Sequence, residues 1–252
     1  MNTPIIKITD LHKSFENQMV LDGVNLEINK GESITIIGQS GCGKSVLLKH
    51  IIRLLEPDSG KVYFDGEDLS ELNFSQLISV RQRTGMLFQS AALFDSLTVA
   101  ENVGLGLKEQ RHFSKDEIDK IVAEKIEMVG LSYAVDKYPS ELSGGMRKRA
   151  GLARAIADEP EVLLYDEPTT GLDPITADMI NDLIVELNKI LKVTSVSVTH
   201  DMKSAFKIAS RIVMLYQGKV QFDGTPDEVR KTDNPIIQQF INGNASGPIQ
   251  VR

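Results

Sequence analysis

The feature that most constrains this chain is the glycine-rich segment GQSGCGKS at residues 38–45. It fits the pattern G-x-x-x-x-G-K-[ST], with the β-branched apolar run 33–37 before it and the helix-compatible run 46–52 after it. A strand, a loop and a helix in this order are the context in which the pattern forms a phosphate cradle. The sequence therefore predicts an α/β chain organised around a phosphate-binding loop.

The residue types of this loop suit a nucleoside triphosphate with Mg²⁺. Glycines let successive backbone N–H groups turn toward a phosphate, and the N-terminus of the following helix adds partial positive charge. Lys44 is expected to neutralise the β- and γ-phosphate oxygens, and Ser45 to ligate Mg²⁺. ATP or GTP is the predicted ligand of the loop residues, which are Gly38, Gln39, Ser40, Gly41, Cys42, Gly43, Lys44 and Ser45.

A second glycine-rich element, LSGGM at residues 142–146, precedes an apolar run that ends in Asp166 and Glu167. On its own the element is equally compatible with a helix start in which Ser143 is the N-cap. The run 162–165 is predicted to be a buried strand, and adjacent residues of a strand point to opposite faces. Asp166 and Glu167 are therefore expected to have different roles, the alternative being a solvated pair at a strand end.

The ordered motifs resemble the ATP-binding cassette family from roughly Ile5 to Phe240. The resemblance implies a P-loop NTPase (RecA-like) α/β core with a small antiparallel β subdomain. It also implies one domain over 1–241, with a helical subdomain inserted at about 91–156 and a C-terminal tail at 242–252. In this family two copies face each other head to tail, and the chain has only one phosphate loop. A homodimer is therefore expected.

The resemblance also implies roles for single residues around the phosphates. Asp166 matches the residue that holds Mg²⁺ through water, and Glu167 the one that orients or deprotonates the attacking water. His200 matches the histidine that contacts the γ-phosphate. Gln89 matches the glutamine that reaches Mg²⁺ and the water, so His200, Gln89, Glu167 and Lys44 form the expected catalytic set.

Further positions are assigned to the nucleotide itself. Phe15 matches the aromatic residue that stacks on adenine, although a core aromatic explains it nearly as well, and Val46 extends the ATP-binding loop. The expected contacts to the nucleotide of the other copy are Ser143, Gly144, Gly145 and Asp173. Asp173 is equally a good helix N-cap before Pro174. Met146 replaces the glutamine most common after LSGG, so the resemblance does not extend to the side-chain contact that this glutamine usually makes to the nucleotide across the dimer.

Composition narrows the classes of partner. The net charge of −7 argues against a nucleic-acid partner, because phosphate backbones bind basic surfaces. The basic run 147–149 is interpreted as mostly solvated surface. The single cysteine, Cys42, excludes an internal disulfide and fits a reducing, cytosolic setting. No apolar run approaches the roughly 20 residues that cross a membrane, and the first residues lack the order of a secretory signal.

Local patterns predict elements around the motifs. Strands at 5–9, 24–28 and 61–64 fit a small antiparallel sheet. Ser114 and Glu117 form a predicted capping box, followed by apolar residues at helical spacing until Gly130. The tail from Asn242 is rich in Gly, Asn, Ser and Pro, so we expect it to be mobile or held only by a partner.

Three stretches resemble, more narrowly, the ATPases of Mla-type phospholipid transporters, which work with MCE-domain proteins. They are GMLFQSAALFDSLTV (85–99), LSGGMRKRAGLAR (142–154) and LYDEPTTGLDP (164–174). This resemblance implies an ATPase that energises phospholipid transport between inner and outer membranes through a separate integral membrane permease. It further implies a cytoplasmic location on the inner membrane, an MCE-domain lipid-binding protein and a small STAS-domain protein as partners.

Two other functions were weighed against a transport motor. The hypothesis of a non-transport cassette ATPase that acts in iron–sulfur assembly or on nucleic acid lacks support, since the chain has no zinc motif, no second cassette and no excess of basic residues. A regulatory subunit without turnover is disfavoured by Glu167 and His200. The motor hypothesis predicts an exposed apolar docking cleft. Packing within the lobe explains the candidate lining residues about as well as docking does. They are Ala91, Ala92, Leu93, Phe94 and Leu97.

Overall fold

The structure, a computed structural model, describes residues 4–16, 18–110 and 113–250. Its strands are β1 (Ile6–Phe15), β2 (Gln18–Ile28), β3 (Ser33–Ile37), β4 (Ser59–Phe64), β5 (Glu67–Asp68), β6 (Thr84–Leu87), β7 (Val162–Asp166), β8 (Thr194–Thr199), β9 (Arg211–Tyr216) and β10 (Lys219–Gly224). Its helices are α1 (Lys44–Ile51), α2 (Phe74–Gln82), α3 (Val99–Gln110), α4 (Lys115–Met128), α5 (Gly144–Ala155), α6 (Pro174–Leu191), α7 (Met202–Ile208), α8 (Pro226–Lys231) and α9 (Pro235–Asn242).

The chain divides into two compact units. The first comprises Met1–Leu77 and Val196–Arg252, and the second comprises Ile78–Ser195. Helix α2 and strand β8 each have residues in both units. The phosphate loop and His200 belong to the first unit, whereas Gln89, Asp166, Glu167 and the LSGG element belong to the second.

An antiparallel sheet with the order β2-β1-β4-β5 lies in the first unit. Strands β1 and β2 pair from Ile6 opposite Ile28 to Phe15 opposite Gln18. The predicted antiparallel sheet is therefore confirmed, but β1 and β2 are longer than the apolar segments 5–9 and 24–28. Register shifts between Ile8 and Ser14 explain the difference, because they interrupt the alternation that a sequence pattern detects.

The first unit also contains part of a second sheet, in which neighbouring strands follow the order β10-β9-β3-β8. Strand β3 runs parallel to β9, and β10 returns antiparallel beside β9. Ile34, Ile36 and Ile37 of β3 are fully buried. The phosphate loop therefore leaves the carboxyl end of a buried strand, where ligands bind in α/β folds.

The C-terminal tail packs on its own chain, which differs from the expectation that it is mobile or held only by a partner. Ile249 is 5% exposed and joins a core cluster with Ile212, Met214 and Ile237. The side chain of Gln239 accepts from Ile249 N (2.6 Å) and donates to Ile249 O (3.0 Å). The buried side chain of Ile249 and the paired amide of Gln239 hold the tail against its own chain. Val251 lies outside the described residues.

The second unit combines two parallel strands with helices. Strands β6 and β7 pair in parallel from Thr84 opposite Val162 to Leu87 opposite Tyr165. Between 91 and 156 the described residues form the helices α3, α4 and the whole of α5, with no strand among them. Ser114 and Glu117 make the predicted capping box of α4.

The fold class is therefore confirmed as α/β with an antiparallel sheet and a helical segment. The boundaries of the inserted segment at about 91 and 156 and of the tail at 242 stay predictions. Within 4–16, 18–110 and 113–250, no helix has both the length and the apolar content to span a membrane.

Candidate functional site

The phosphate loop has the backbone that a phosphate cradle requires. Gly43 is the N-cap of α1 with φ 102°, and a Cβ there would lie 2.9 Å from both Leu21 Cδ2 and Val20 O. A side chain at this position would both strain the backbone and clash with strand β2. The first turn of α1 contains no acidic residue, so its N-terminus keeps the partial positive charge that favours an anion.

Lys44 is buried and its ammonium closes the loop on itself. Lys44 Nζ donates to Gly38 O (2.8 Å) and to Gln39 O (3.0 Å). Ser40 and Gly41 are exposed, while Gln39, Cys42, Ser45 and Val46 are half-buried. A preshaped loop with an exposed rim and a fixed ammonium fits the phosphates of a nucleotide, with Ser45 supplying a hydroxyl suited to Mg²⁺.

Two further predicted residues of the first unit lie at the ends of strands. Phe15 ends β1 and is 42% exposed, with Lys13 Nζ 5.6 Å from its ring centroid. The alternative of a core aromatic is therefore wrong, since the ring is partly exposed and the Lys13 ammonium lies over it. His200 follows β8 directly and is exposed, and Asp201 after it caps α7.

Asp166 and Glu167 occupy the carboxyl end of β7 and are both buried. Glu167 adopts φ 48°, the left-handed region, which is unfavourable for a residue with a Cβ. Its carboxylate oxygen Oε2 accepts from Thr170 Oγ1 at 3.1 Å. The left-handed turn separates Glu167 from the strand geometry of Asp166, which supports distinct roles for the two carboxylates.

The LSGG element forms the N-terminus of α5. Ser143 is the N-cap and accepts from Met146 N at 3.2 Å, so the structural alternative is confirmed, whether or not Ser143 also binds nucleotide. A Cβ on Gly145 would lie 2.6 Å from Thr176 Cγ2. Asp173 caps α6 by accepting from Thr176 N at 3.0 Å. The start of α5 therefore lies beside the start of α6. This brings together the four residues expected to contact the nucleotide of the other copy, Ser143, Gly144, Gly145 and Asp173.

The hydrogen bond from the Thr176 hydroxyl, together with those from the backbone N–H groups of Thr176 and Ile175, holds the pKa of the Asp173 carboxyl below its usual range.

Lys148 was missed as a functional residue, since the basic run 147–149 was interpreted as mostly solvated. It is only 4% exposed, and Lys148 Nζ donates to Gln89 O (2.6 Å) and Glu167 O (3.1 Å). That interpretation is wrong for Lys148 because this residue shares a helix face with Gly145 and Leu152, which are buried. The separations of three and four residues between Gly145, Lys148 and Leu152 place them on one face of a helix, and this spacing is the signal in the sequence that indicates burial of Lys148.

Gln89 itself is exposed, two residues after β6.

The geometry describes a phosphate loop in one unit and a carboxylate pair with an LSGG helix in the other. A family model described as "ABC transporter" matches residues 21–170, more than half of the chain. The chain belongs to the ABC transporter family. It is accordingly an ATPase subunit of an ABC transporter, with ATP and Mg²⁺ as its cofactors.

Individual relatives agree with this cassette assignment. The chain is 40% identical over 252 residues to the intermembrane phospholipid transport system ATP-binding protein MlaF of Haemophilus influenzae, covering 100% of this chain and 96% of that protein. It is 39% identical to a probable ribonucleotide transport ATP-binding protein, mkl, of Mycobacterium leprae, covering 97% and 68%. A dimeric structure of the ATP-binding cassette MJ0796, bound to ADP and Pi, matches with TM-score 0.80 and 35% identity over 87% of this chain and 98% of that one.

A buried histidine lies on the helix that follows the phosphate loop. His50 of α1 is 1% exposed; its Nδ1 lies 2.7 Å from Val46 O, and its Nε2 has no hydrogen-bond partner within the described ranges. Burial is the main cause that lowers the pKa of His50, and nearby Lys13 acts in the same direction, whereas Asp58 opposes it. The folded cassette therefore disfavours the protonated imidazole.

His50 should make the cassette sensitive to mild acid. The unfolded chain takes up the proton near pH 6.5, before the folded chain does. The free energy of unfolding is thus expected to fall as pH drops below 6.5, with a slope approaching about 1.4 kcal/mol per pH unit until folded His50 is itself protonated. Denaturant unfolding at pH 7.5 and 5.5 measures this loss, which His50→Asn should reduce.

His12→Asn, at the partly exposed His12 beside Asp10, is the control and should keep the acid sensitivity. Equal acid sensitivity in wild type and His50→Asn would contradict the assignment.

Proposed function

We propose that this cassette energises phospholipid transport between the inner and outer membranes through a separate integral membrane permease. The observation that carries the proposal is the 40% identity along the whole chain to a relative named for intermembrane phospholipid transport. The three stretches at 85–99, 142–154 and 164–174 support it. Ribonucleotide transport is the second candidate, because a relative named for that cargo is 39% identical.

The residues of the first unit are proposed to hold the nucleotide. Phe15 stacks on adenine, and the loop from Gly38 to Val46 wraps the phosphates with its N–H groups. Lys44 keeps its ammonium beside the β- and γ-phosphate oxygens, and Ser45 ligates Mg²⁺. Bound Mg²⁺ supplies charge neutralisation at the transferred phosphoryl group. His200 donates to the γ-phosphate from the end of β8.

The residues of the second unit are proposed to act on water and on the partner copy. Glu167 accepts the proton of the attacking water or orients it, and Asp166 and Gln89 hold Mg²⁺, Asp166 through a water. Ser143, Gly144 and Gly145 point their N-terminal helix end at the nucleotide of the other copy, with Asp173 beside them. A helix N-terminus suits this task because it stabilises phosphate charge without adding a mobile cation.

A cleft of about 550 Å³ in the second unit is the proposed seat of the permease. Phe88, Ala92 and Phe94 line it, and Glu109 and Arg154 supply charges. Phe94 is 54% exposed, so its ring is accessible to a docking partner at the cleft. Of the residues suggested by the sequence, Ala92 and Phe94 line the cleft, whereas Ala91 is buried. An aromatic anchor at a short apolar groove fits a helix end of an integral membrane subunit.

Phe94→Asp should weaken retention of the permease. Loss of an aromatic anchor typically costs about 2 kcal/mol, or roughly 30-fold in affinity. ATP hydrolysis by the isolated cassette should stay near wild type, because the Phe94 ring is exposed and its backbone is held by Asn102. Phe74→Asp changes a ring that is more exposed, at 75%, and lies outside the cleft, so it is the control for adding a charge at an exposed phenylalanine.

Pull-down from detergent-solubilised membranes provides the measurement. Equal permease recovery with Phe94→Asp and Phe74→Asp would reject the cleft as the docking seat.

The cargo is tested by what copurifies with the tagged full chain. An integral membrane permease with an MCE-domain lipid-binding protein and a small STAS-domain protein would support phospholipid transport at the cytoplasmic side of the inner membrane. ATPase activity of that complex should then rise in phospholipid vesicles. A permease whose complex responds to ribonucleotides instead would favour the second candidate, and recovery of soluble partners alone would overturn both.

A further inference from the structure

Lys148 joins two segments that are distant in sequence but adjacent in the second unit. Its ammonium is buried, and both of its hydrogen bonds go to main-chain carbonyls, Gln89 O at 2.6 Å and Glu167 O at 3.1 Å. A buried ammonium is costly unless its donors are satisfied. The side chain is thus committed to the backbone of the two residues proposed to handle water and Mg²⁺.

The two carbonyls occupy matching positions beyond the ends of two paired strands. Strands β6 and β7 run in parallel, and Leu87 lies opposite Tyr165 as their last matched pair. Gln89 and Glu167 each follow two residues later. Among the residues that the structure describes, the pairing of β6 with β7 ends at Leu87 and Tyr165, so Lys148 provides a link just beyond the end of the paired strands.

The segments that Lys148 links have unfavourable backbone conformations. Glu167, Ala91 and Ala92 all adopt positive φ, at 48°, 62° and 47°. Non-glycine residues hold such angles only when surrounding contacts fix them. Arg154, on the same helix α5 as Lys148, donates to Ala92 O (2.6 Å) and Ala91 O (2.9 Å). Helix α5 therefore supplies two cations that fix these turns.

We propose that Lys148 is a positioning residue for ATP hydrolysis, which holds the main chain of Gln89 and Glu167 together so that both side chains face the same reacting water. The inference rests on the proposed roles of Gln89 and Glu167. The hydrogen bonds of Lys148 Nζ go to the main chain of these two residues and not to their side chains. It acts by fixing the spacing of two backbones, an effect that a displacement of about 1 Å is enough to disrupt.

Steady-state kinetics of the full chain, purified with its copurifying subunits, test the proposal. Lys148→Met keeps an unbranched side chain that is one atom shorter and removes the donors. It should lower kcat by about 10–100-fold, the usual effect of losing a supporting contact, with KM for ATP and nucleotide affinity within about twofold of wild type. Lys148→Gln retains an amide donor with shorter reach and should have an intermediate kcat.

Lys125→Met is the matched control for removing a buried ammonium. Lys125 is also buried in the second unit, where it pairs with Glu124 (3.0 Å) and Glu159 (3.1 Å). The kcat of Lys125→Met should stay within about twofold of the wild-type kcat, whatever the effect of the substitution on stability. Equal kcat losses in Lys125→Met and Lys148→Met, or a loss of ATP affinity parallel to kcat, would overturn the proposal.

If Lys148→Met fails to fold, Lys148→Gln decides, because a kcat within twofold of wild type would overturn the proposal.

A double variant separates this inference from the assignment of Glu167. In the Glu167→Gln background Lys148→Met should reduce the residual rate by less than twofold, since residues acting as one unit are not additive. A full additional loss in that background would contradict positioning through Glu167. Rapid hydrolysis by Glu167→Gln alone would instead refute the role of Glu167, whatever Lys148 does.

Discussion

Glu167→Gln is expected to abolish steady-state ATP hydrolysis while leaving ATP binding intact. The amide keeps the size of the side chain and can still contact Thr170 Oγ1, which lies 3.1 Å from the carboxylate, but it cannot accept a proton from water. Losing a general base costs about 10²–10⁴-fold in rate. The phosphate loop is untouched, so ATP should bind and stay unhydrolysed. On one preparation of the variant, phosphate release measures the loss of hydrolysis and equilibrium binding measures the retained affinity for ATP.

Lys44→Ala gives the opposite pattern and serves as the control. It removes the ammonium that contacts Gly38 O and Gln39 O, so nucleotide binding itself should weaken. Near wild-type turnover by well-folded Glu167→Gln would refute the assignment of the base. Undiminished ATP affinity in Lys44→Ala would refute the cradle role of Lys44.

Ser143→Arg is expected to disable hydrolysis without removing the phosphate loop of its own chain. Ser143 is exposed at the N-terminus of α5, and an arginine there would place bulk against the nucleotide of the other copy. Misplacing one group that stabilises transition-state charge costs about 10²-fold or more. ATP binding to the separated subunit should survive. The loss should appear in kcat, since each copy keeps its own cradle.

Mixed dimers test whether the site is shared. A heterodimer of Ser143→Arg and Lys44→Ala chains has one interface built from two intact halves, the phosphate loop of the first chain and Ser143 of the second. Partial recovery of hydrolysis on mixing is the expected result, provided that one intact site turns over alone. Separately tagged chains isolate the heterodimer. Hydrolysis at the wild-type rate by Ser143→Arg chains alone would argue that each copy works by itself.

Local sequence patterns predicted the phosphate loop and much of the secondary structure. Residues 33–37 became β3, the run 162–165 became part of β7, and the run after Ser114 became a capped helix. These features are encoded by periodicity, caps and turn residues within a few positions. Neighbouring residues therefore suffice to predict them.

Features that depend on distant contacts were not predicted. The burial of Lys148 requires the carbonyls of Gln89 and Glu167, which lie far from it in sequence. The left-handed backbone of Glu167 follows from its turn and contacts rather than from its residue type. Likewise Ile249 is buried because Gln239 pairs with its backbone, whereas composition alone suggested a mobile tail. Tertiary hydrogen bonds to main-chain atoms leave little trace in a local pattern.

The central claim is that two copies of this chain close on ATP to form the hydrolytic sites, and the mass of Glu167→Gln in solution tests it most directly. Light scattering coupled to size exclusion should give one chain mass without nucleotide and twice that mass with ATP and Mg²⁺. Adding Ser143→Arg to the same chain should prevent the doubling, because its bulk opposes closure. A Glu167→Gln chain that binds ATP yet keeps the mass of a single copy at saturating ATP and Mg²⁺ would contradict the claim.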